Sequence, residues 1–210
     1  MQKPYVDAPL TTSDLEELRT SWPSLTDRER TSIFEQLPRQ AIVETDMIRE
    51  HEFYMERAFA LAVKSYAEGG CPIGAVLVDN TSGDVLGEGH NALVQEGNPI
   101  VHGEMAALRA AGRMPNRHTT TMYTTLQPCF MCTGAIVQFG IPRVVIGDVA
   151  NASSDETLRF LRGRGVEVIV LDCDTSPAAR QCVELAYRFR QEKPDQWFED
   201  WGGGPNPKLF

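Results

Sequence analysis

The 210-residue chain has little of what marks a secreted, membrane or nucleic-acid-binding protein. It holds only five cysteines, an odd number without a repeating framework, which argues against a disulfide scaffold. No apolar run approaches the ~20 residues of a membrane span. Met1–Leu10 is polar and contains two prolines, so no signal peptide is expected there. A reducing, cytoplasmic setting is the expectation. Lys and Arg number 20 against 29 Asp and Glu, for a net charge of −9. Such a balance argues against a general nucleic-acid surface, which is usually basic. One basic cluster, Arg159, Arg162 and Arg164, fits a solvated helix end. Beyond Gly202–Gly204 there is no repeat or low-complexity run.

What is present suffices for one ordinary hydrophobic core, since 42% of residues are hydrophobic. Histidine is scarce, with four in the chain, yet one of them stands in a telling place. His102-Gly103-Glu104 is followed by Pro128-Cys129-Phe130-Met131-Cys132. One imidazole and two thiols suit zinc. A structural zinc site needs four protein ligands, whereas a catalytic one keeps three and leaves a position open. His102, Cys129 and Cys132 supply three. Cys129 and Cys132, at i and i+3, are neighbours on one helical face. Pro128 suits the first position of that helix, and both thiolates would lie in its first turn, where the dipole favours negative charge. Glu104 lies two residues past the histidine, where a carboxylate can move protons without binding metal. H-x-E with P-C-x-x-C is the signature of zinc deaminases. Cys71, Cys173 and Cys182 are then left as small buried hydrophobes.

Along the chain, Ser13-x-x-Glu16 and Thr26-x-x-Glu29 are capping boxes. They predict short helices over Asp14–Ser21 and Asp27–Gln36. A longer helix is expected from Asp46 to about Tyr66, ended by Gly69-Gly70. Ile73–Val78 and Val85–Leu93 predict a hairpin around turn residues Asp79–Asp84. Next come helix His102–Ala111, closed by Gly112, strand Thr119–Thr125, helix Cys129–Gly140 and strand Val144–Gly147. Ser153-x-x-Glu156 is expected to cap a helix to about Arg162. Strand Val166–Leu171 follows, and Ser176-Pro177 opens a helix to about Lys193. The tail from Gly202 is rich in Gly and Pro and is expected to be mobile. Strands alternating with helices after a hairpin predict an α/β layered domain with a mixed sheet. Three segments result: a helical extension over 1–45, a zinc domain over 46–201 and a tail over 202–210.

The likeness extends beyond the metal motif. Gly70-x-Pro72-Ile73-Gly74-Ala75, Gly89-His90-Asn91, His102-Gly103-Glu104, Tyr123–Ile136, Gly140-Ile141-Pro142-Arg143 and Trp197-Phe198-Glu199-Asp200 together resemble the fungal-type, free-base cytosine deaminases. These belong to the cytidine/deoxycytidylate superfamily of zinc deaminases. The resemblance spans roughly residues 46 to 201. It implies a three-layer α/β/α cytidine-deaminase-like fold, one catalytic zinc ion per chain, a homodimer and a part in pyrimidine salvage. It also implies roles: Asn91 bonds the carbonyl edge of the base, Asp200 accepts from its amine, and Gly103 offers its N–H. The Gln127 carbonyl faces the leaving amine, and Trp197 belongs to a C-terminal lid. Removing an aromatic amine by hydrolysis needs an activated water, which zinc provides, and a carboxylate to shuttle protons, a role that falls to Glu104.

Two lid positions depart from that pattern. Ala152 stands where relatives have a roofing phenylalanine, and Trp201 where they have an aliphatic residue. Trp201 is expected to refill the roof of a reshaped slot. The substrate expected is a small amino-heterocycle: cytosine first, with isocytosine, guanine or a pterin as variants. A tRNA adenosine deaminase carries the same motif, but it needs a basic groove and an open site, which the acidic total and the covering tail disfavour. A pseudo-enzyme with purely structural zinc is disfavoured by the intact Glu104 and the three-ligand set.

Overall fold

A computed structural model describes residues 39–114 and 117–199, with side chains from residue 47 onward. The two short helices expected before Pro38 and the tail from Gly202 lie outside the described residues. So do Asp200 and Trp201. The chain divides into two compact units, Met1–Glu50 and His51–Phe210. Within the first, the described residues are the opening of helix α1 (Arg39–Ala67). This helix begins earlier than its apolar spacing predicts.

The second unit is built on a five-stranded sheet. In chain order its strands are β1 (Gly74–Asp79), β2 (Val85–His90), β3 (Thr120–Leu126), β4 (Arg143–Asp148) and β5 (Glu167–Val170). They lie side by side as β2-β1-β3-β4-β5. β2, β1 and β3 pair antiparallel, whereas β3, β4 and β5 pair parallel. The sheet is mixed, as expected. The β1–β2 hairpin is present, but β2 ends at His90 rather than Leu93, because Leu93–Glu96 turns into the short helix α2.

Side chains alternate across the sheet, so each strand feeds two layers. Val76, Val78, Tyr123 and Val145 face one way and pack with Tyr54, Met55 and Ala58 of α1 and with Ala178 and Cys182. The last two belong to helix α6 (Pro177–Glu192). Ala75, Leu77, Met122, Val144 and Ile146 face the other way. There they meet helices α3 (Gly103–Ala111), α4 (Phe130–Gln138) and α5 (Glu156–Gly163), through Ala107, Ile136, Leu158 and Leu161. The result is the expected three-layer α/β/α arrangement. A last helix, α7 (Pro194–Glu199), was not expected.

Helix ends follow local chemistry. Ser176 caps α6 by accepting from the Ala179 N–H at 3.1 Å, with Pro177 in the first turn. Glu52 of α1 adds a second acceptor there, taking the Ala178 N–H at 2.7 Å. Gly112, at φ 66°, closes α3 as expected. Helix α5 departs from expectation: Asp155, not Ser153, is its N-cap, its side chain makes no capping bond, and Ser154 Oγ instead accepts the Glu156 N–H at 3.4 Å. The Arg159 cluster does lie on the exposed face and C-terminal end of α5, where Arg159 pairs with Asp155 at 3.2 Å and Arg164 stacks on Phe160.

Candidate active site

Two helix N-termini carry the metal donors. His102 is the N-cap of α3 and Cys129 the N-cap of α4, both with extended backbone. The expectation for Pro128 needs correcting. It precedes the cap rather than opening the helix, because the extended Cys129 stands between it and the first helical residue. The Cys129 thiol lies 3.5 Å from His102 Nδ1. Cys132, one turn into α4, is fully buried behind it. The donor atoms of His102, Cys129 and Cys132 all lie within 4.8 Å of one another.

This donor set fits zinc: two thiols and one imidazole, close enough for one ion to reach all three. The thiols already differ in acidity. A hydrogen bond from Cys132, with help from His102, holds Cys129 down to about 4 despite its burial. Cys132 is pushed up by that same bond and by burial. Cys129 is thus prepared as a thiolate, the form that binds metal.

Glu104 lies in the first turn of α3 and is 3% exposed. Its Oε1 accepts from the Thr124 hydroxyl on β3 at 3.1 Å. Burial, then the neighbouring Cys129 charge, pushes its carboxyl above the ordinary range, against the pull of His102. A buried carboxylate with a raised pKa beside a metal set is suited to taking up and giving back protons.

Close packing places α3. On β2, a β-carbon at Gly87 would come within 2.3 Å of the Ala107 carbonyl oxygen, and one at Gly89 within 2.4 Å of Ala106 Cβ. Two side-chain-free positions on one face of β2 therefore let α3 lie directly on the hairpin. At the helix start, a β-carbon at Gly103 would meet the Ile73 carbonyl oxygen at 3.2 Å.

Asn91 reaches the same carbonyl: its N–H donates to Ile73 O at 2.8 Å. Its side chain is fully buried. Asn91 Oδ1 accepts from the Leu93 N–H at 3.2 Å, while Nδ2 has no partner. A buried donor left unpaired is costly, so this amide is an orphan that a ligand acceptor would satisfy. His90 beside it spends its ring on local contacts, Nδ1 to the Asn91 carbonyl at 2.9 Å and Nε2 to Lys64 at 3.2 Å.

Gln127 directly follows β3, and Ala152 lies in the loop after the neighbouring β4. The Gln127 N–H donates to the Asp148 carbonyl at 2.8 Å, and its Nε2 reaches Ser154 O at 2.6 Å and Thr157 Oγ1 at 2.8 Å. Ala152 is half-buried in the loop after β4, with its N–H directed at the Val149 carbonyl. Trp197 of α7 is 3% exposed and packs with Ile73, Leu126 and Phe189. It therefore lies in a cluster that includes two residues flanking the site.

Sequence reasoning missed Thr124, though it quoted the stretch that contains it. Two adjacent buried threonines in β3 were the available signal, since burying a hydroxyl demands a partner. Thr124 finds Glu104, and Thr125 accepts the Gly74 N–H at 3.0 Å.

Comparison with known proteins agrees with this geometry. Residues 48–148 match the model of the cytidine and deoxycytidylate deaminase zinc-binding region. The chain is 44% identical to a cytosine deaminase of Candida albicans over 150 residues, 70% of this chain and 94% of that protein. It is 40% identical to a tRNA-specific adenosine deaminase of Haemophilus influenzae, over 69% of this chain and 86% of that protein. A guanine deaminase from Nitrosomonas europaea shares the fold, with a TM-score of 0.54 at 20% identity over 67% of this chain and 84% of that one. The motif, the three-donor corner and the extent of these likenesses agree: the chain belongs to the cytidine and deoxycytidylate deaminase family and is a zinc-dependent hydrolytic deaminase.

Proposed function

We propose that this deaminase acts on a free nucleobase, converting cytosine and water to uracil and ammonia. The observation that carries the reading is the 44% identity across 94% of the Candida cytosine deaminase. The orphan Asn91 amide supports it, because a pyrimidine carbonyl is the acceptor such a donor lacks.

His102, Cys129 and Cys132 would hold the zinc. Bound zinc supplies an acidified water, with a pKa of about 7. Glu104 would relay the two protons of the attacking water in turn: the first to the ring nitrogen as the new C–O bond forms, the second, given up as that oxygen becomes the carbonyl, to the amine, which leaves as ammonia. Thr124 orients the carboxylate throughout. The N–H of Gly103 and Asn91 Nδ2 fix the carbonyl side of the ring, and the Gln127 carbonyl accepts from the leaving amine. Asp200 holds the amine side, and Trp197 keeps the C-terminal segment against Ile73 and Leu126, where it excludes water. Ala152 leaves room in the roof that Trp201 fills.

In this reading the catalytic domain covers 46–201, with an extension before it and a short tail after it. The enzyme works as a cytoplasmic homodimer in pyrimidine salvage. Large side chains left outside on the α4 segment, Phe130 at 59% and Phe139 at 41% exposure, support a self-association face.

The test is ammonia release by the zinc-loaded protein against a panel of free bases and nucleosides, with Glu104→Ala as control. Cytosine should be turned over selectively, and the variant should be inert. Turnover of a different base, with cytosine poor, would overturn the substrate assignment while leaving the reaction class. A second reading, deamination of adenosine in tRNA, is favoured by the Haemophilus likeness. The net charge of −9 weighs against it. Tight, salt-sensitive tRNA binding together with inosine formation would establish it.

A further inference from the structure

We infer that Ser65, on α1, is a positioning residue that sets the Asn91 amide for substrate; the inference rests on the proposed binding role of Asn91. Ser65 is fully buried. In a helix a serine hydroxyl commonly bonds back to its own preceding turn. Here it reaches outward to two loops. Its Oγ lies 2.7 Å from the Cys71 carbonyl and 2.7 Å from the Asn91 carbonyl. Gln95 Nε2 approaches the same oxygen at 3.3 Å, so the hydroxyl accepts from Gln95 and shares its single proton between the two carbonyls.

The two loops joined by Ser65 are those that meet at the site. Cys71 leads into β1 through Ile73, and the Ile73 carbonyl takes the Asn91 N–H. Ser65, Cys71, Ile73 and Asn91 thus close a ring of hydrogen bonds. Within it the backbone of Asn91 is fixed at both ends. Its N–H is held by Ile73, and its carbonyl takes Ser65 on one side and His90 Nδ1 on the other. Oδ1 is held by the Leu93 N–H. With every other polar group of Asn91 committed, only Nδ2 remains to address a ligand. The ring therefore sets where that donor points. A preorganised donor lowers the cost of binding without taking part in the chemistry.

A Ser65→Ala variant tests this, measured alone and in an Asn91→Ala background. Cytosine KM should rise about fivefold, the scale of one hydrogen bond, with kcat within about twofold and zinc content unchanged. In the Asn91→Ala background the same substitution should leave KM where Asn91→Ala alone put it. Equal KM increases in both backgrounds, or a fall in kcat with KM unmoved, would overturn the inference. The side-chain amide resonances of Asn91 give a readout that needs no turnover, and Ser65→Ala should shift or broaden them. Unmoved resonances would also overturn it. A wild-type enzyme inert towards cytosine would defeat the substrate reading alone, leaving the resonance experiment to decide the role of Ser65.

Discussion

Each face of the sheet buries one titratable helix side chain against a hydroxyl of β3. Glu104 of α3 accepts from Thr124 at 3.1 Å, and His51 of α1 meets Tyr123 at 3.0 Å. Thr124 and Tyr123 are consecutive, so the alternation of the strand sends them to opposite layers. Burial acts on both in the same sense, favouring the uncharged form: it raises Glu104 and lowers His51. The neighbours differ. Glu104 stands beside two thiols and an imidazole at two helix N-termini. His51 stands among the aromatic rings of Tyr54 and Tyr123, with their centroids 5.0 Å apart. The lesson is that burial alone makes a perturbed group. Adjacency to a donor set makes it chemical, and the opposite layer uses the same physics only to pack.

The largest expected effect removes that adjacency. Cys132→Ser replaces the innermost thiol with a poor zinc ligand and should lower zinc content well below one ion per chain. Deaminase activity should fall to background. Chelating zinc from the wild type should do the same, and restoring zinc should recover the wild type but not the variant. Full activity in metal-free protein would dissolve the distinction between the two faces.

The metal corner was legible because its chemistry is local. His102 and Glu104 are two apart and Cys129 and Cys132 three apart, and each pair opens a helix, so spacing alone placed them. The hairpin was legible from its turn residues, and α6 from its Ser-Pro start. The parts that escaped depend on long range or on very short elements. Thr124 acquires its meaning from a residue 20 positions away and Ser65 from one 26 away. Helix α2 is a single turn of four residues, too short to show a period. Pro128 and Ser153 were misplaced by one or two residues at helix starts, where boundaries are set by backbone geometry that residue type constrains weakly.

A smaller effect separates the carboxylate from its support. Thr124→Val keeps the shape of the side chain and removes the donor to Glu104. Loss of such a supporting bond should lower kcat by about tenfold, with zinc content and KM for cytosine nearly unchanged. A fall in zinc content would mean that Thr124 holds the corner together rather than orienting Glu104. An unchanged kcat would mean that the carboxylate needs no partner on β3.

The smallest effect belongs to the opposite face and should leave the chemistry alone. His51→Phe keeps a ring among Tyr54 and Tyr123 but removes one buried hydrogen bond, worth about 1 kcal/mol. Activity at neutral pH should be unaffected. The pH dependence carries the sign. Burial, and then the charge of Arg143, depress the His51 pKa below 6.5, against a weaker opposite pull from Glu167. Below pH 6.5 the unfolded chain therefore binds a proton that the folded chain refuses. Wild-type stability should fall as pH drops from about 6.5 towards the depressed folded value, and this contribution should be constant above that window. The variant lacks this term. Denaturant curves of the two proteins at pH 7.5 and 5.5 should therefore draw together on acidification. A gap that widens would mean that His51 gains its proton on folding, and the burial that makes the two faces alike would not govern this one.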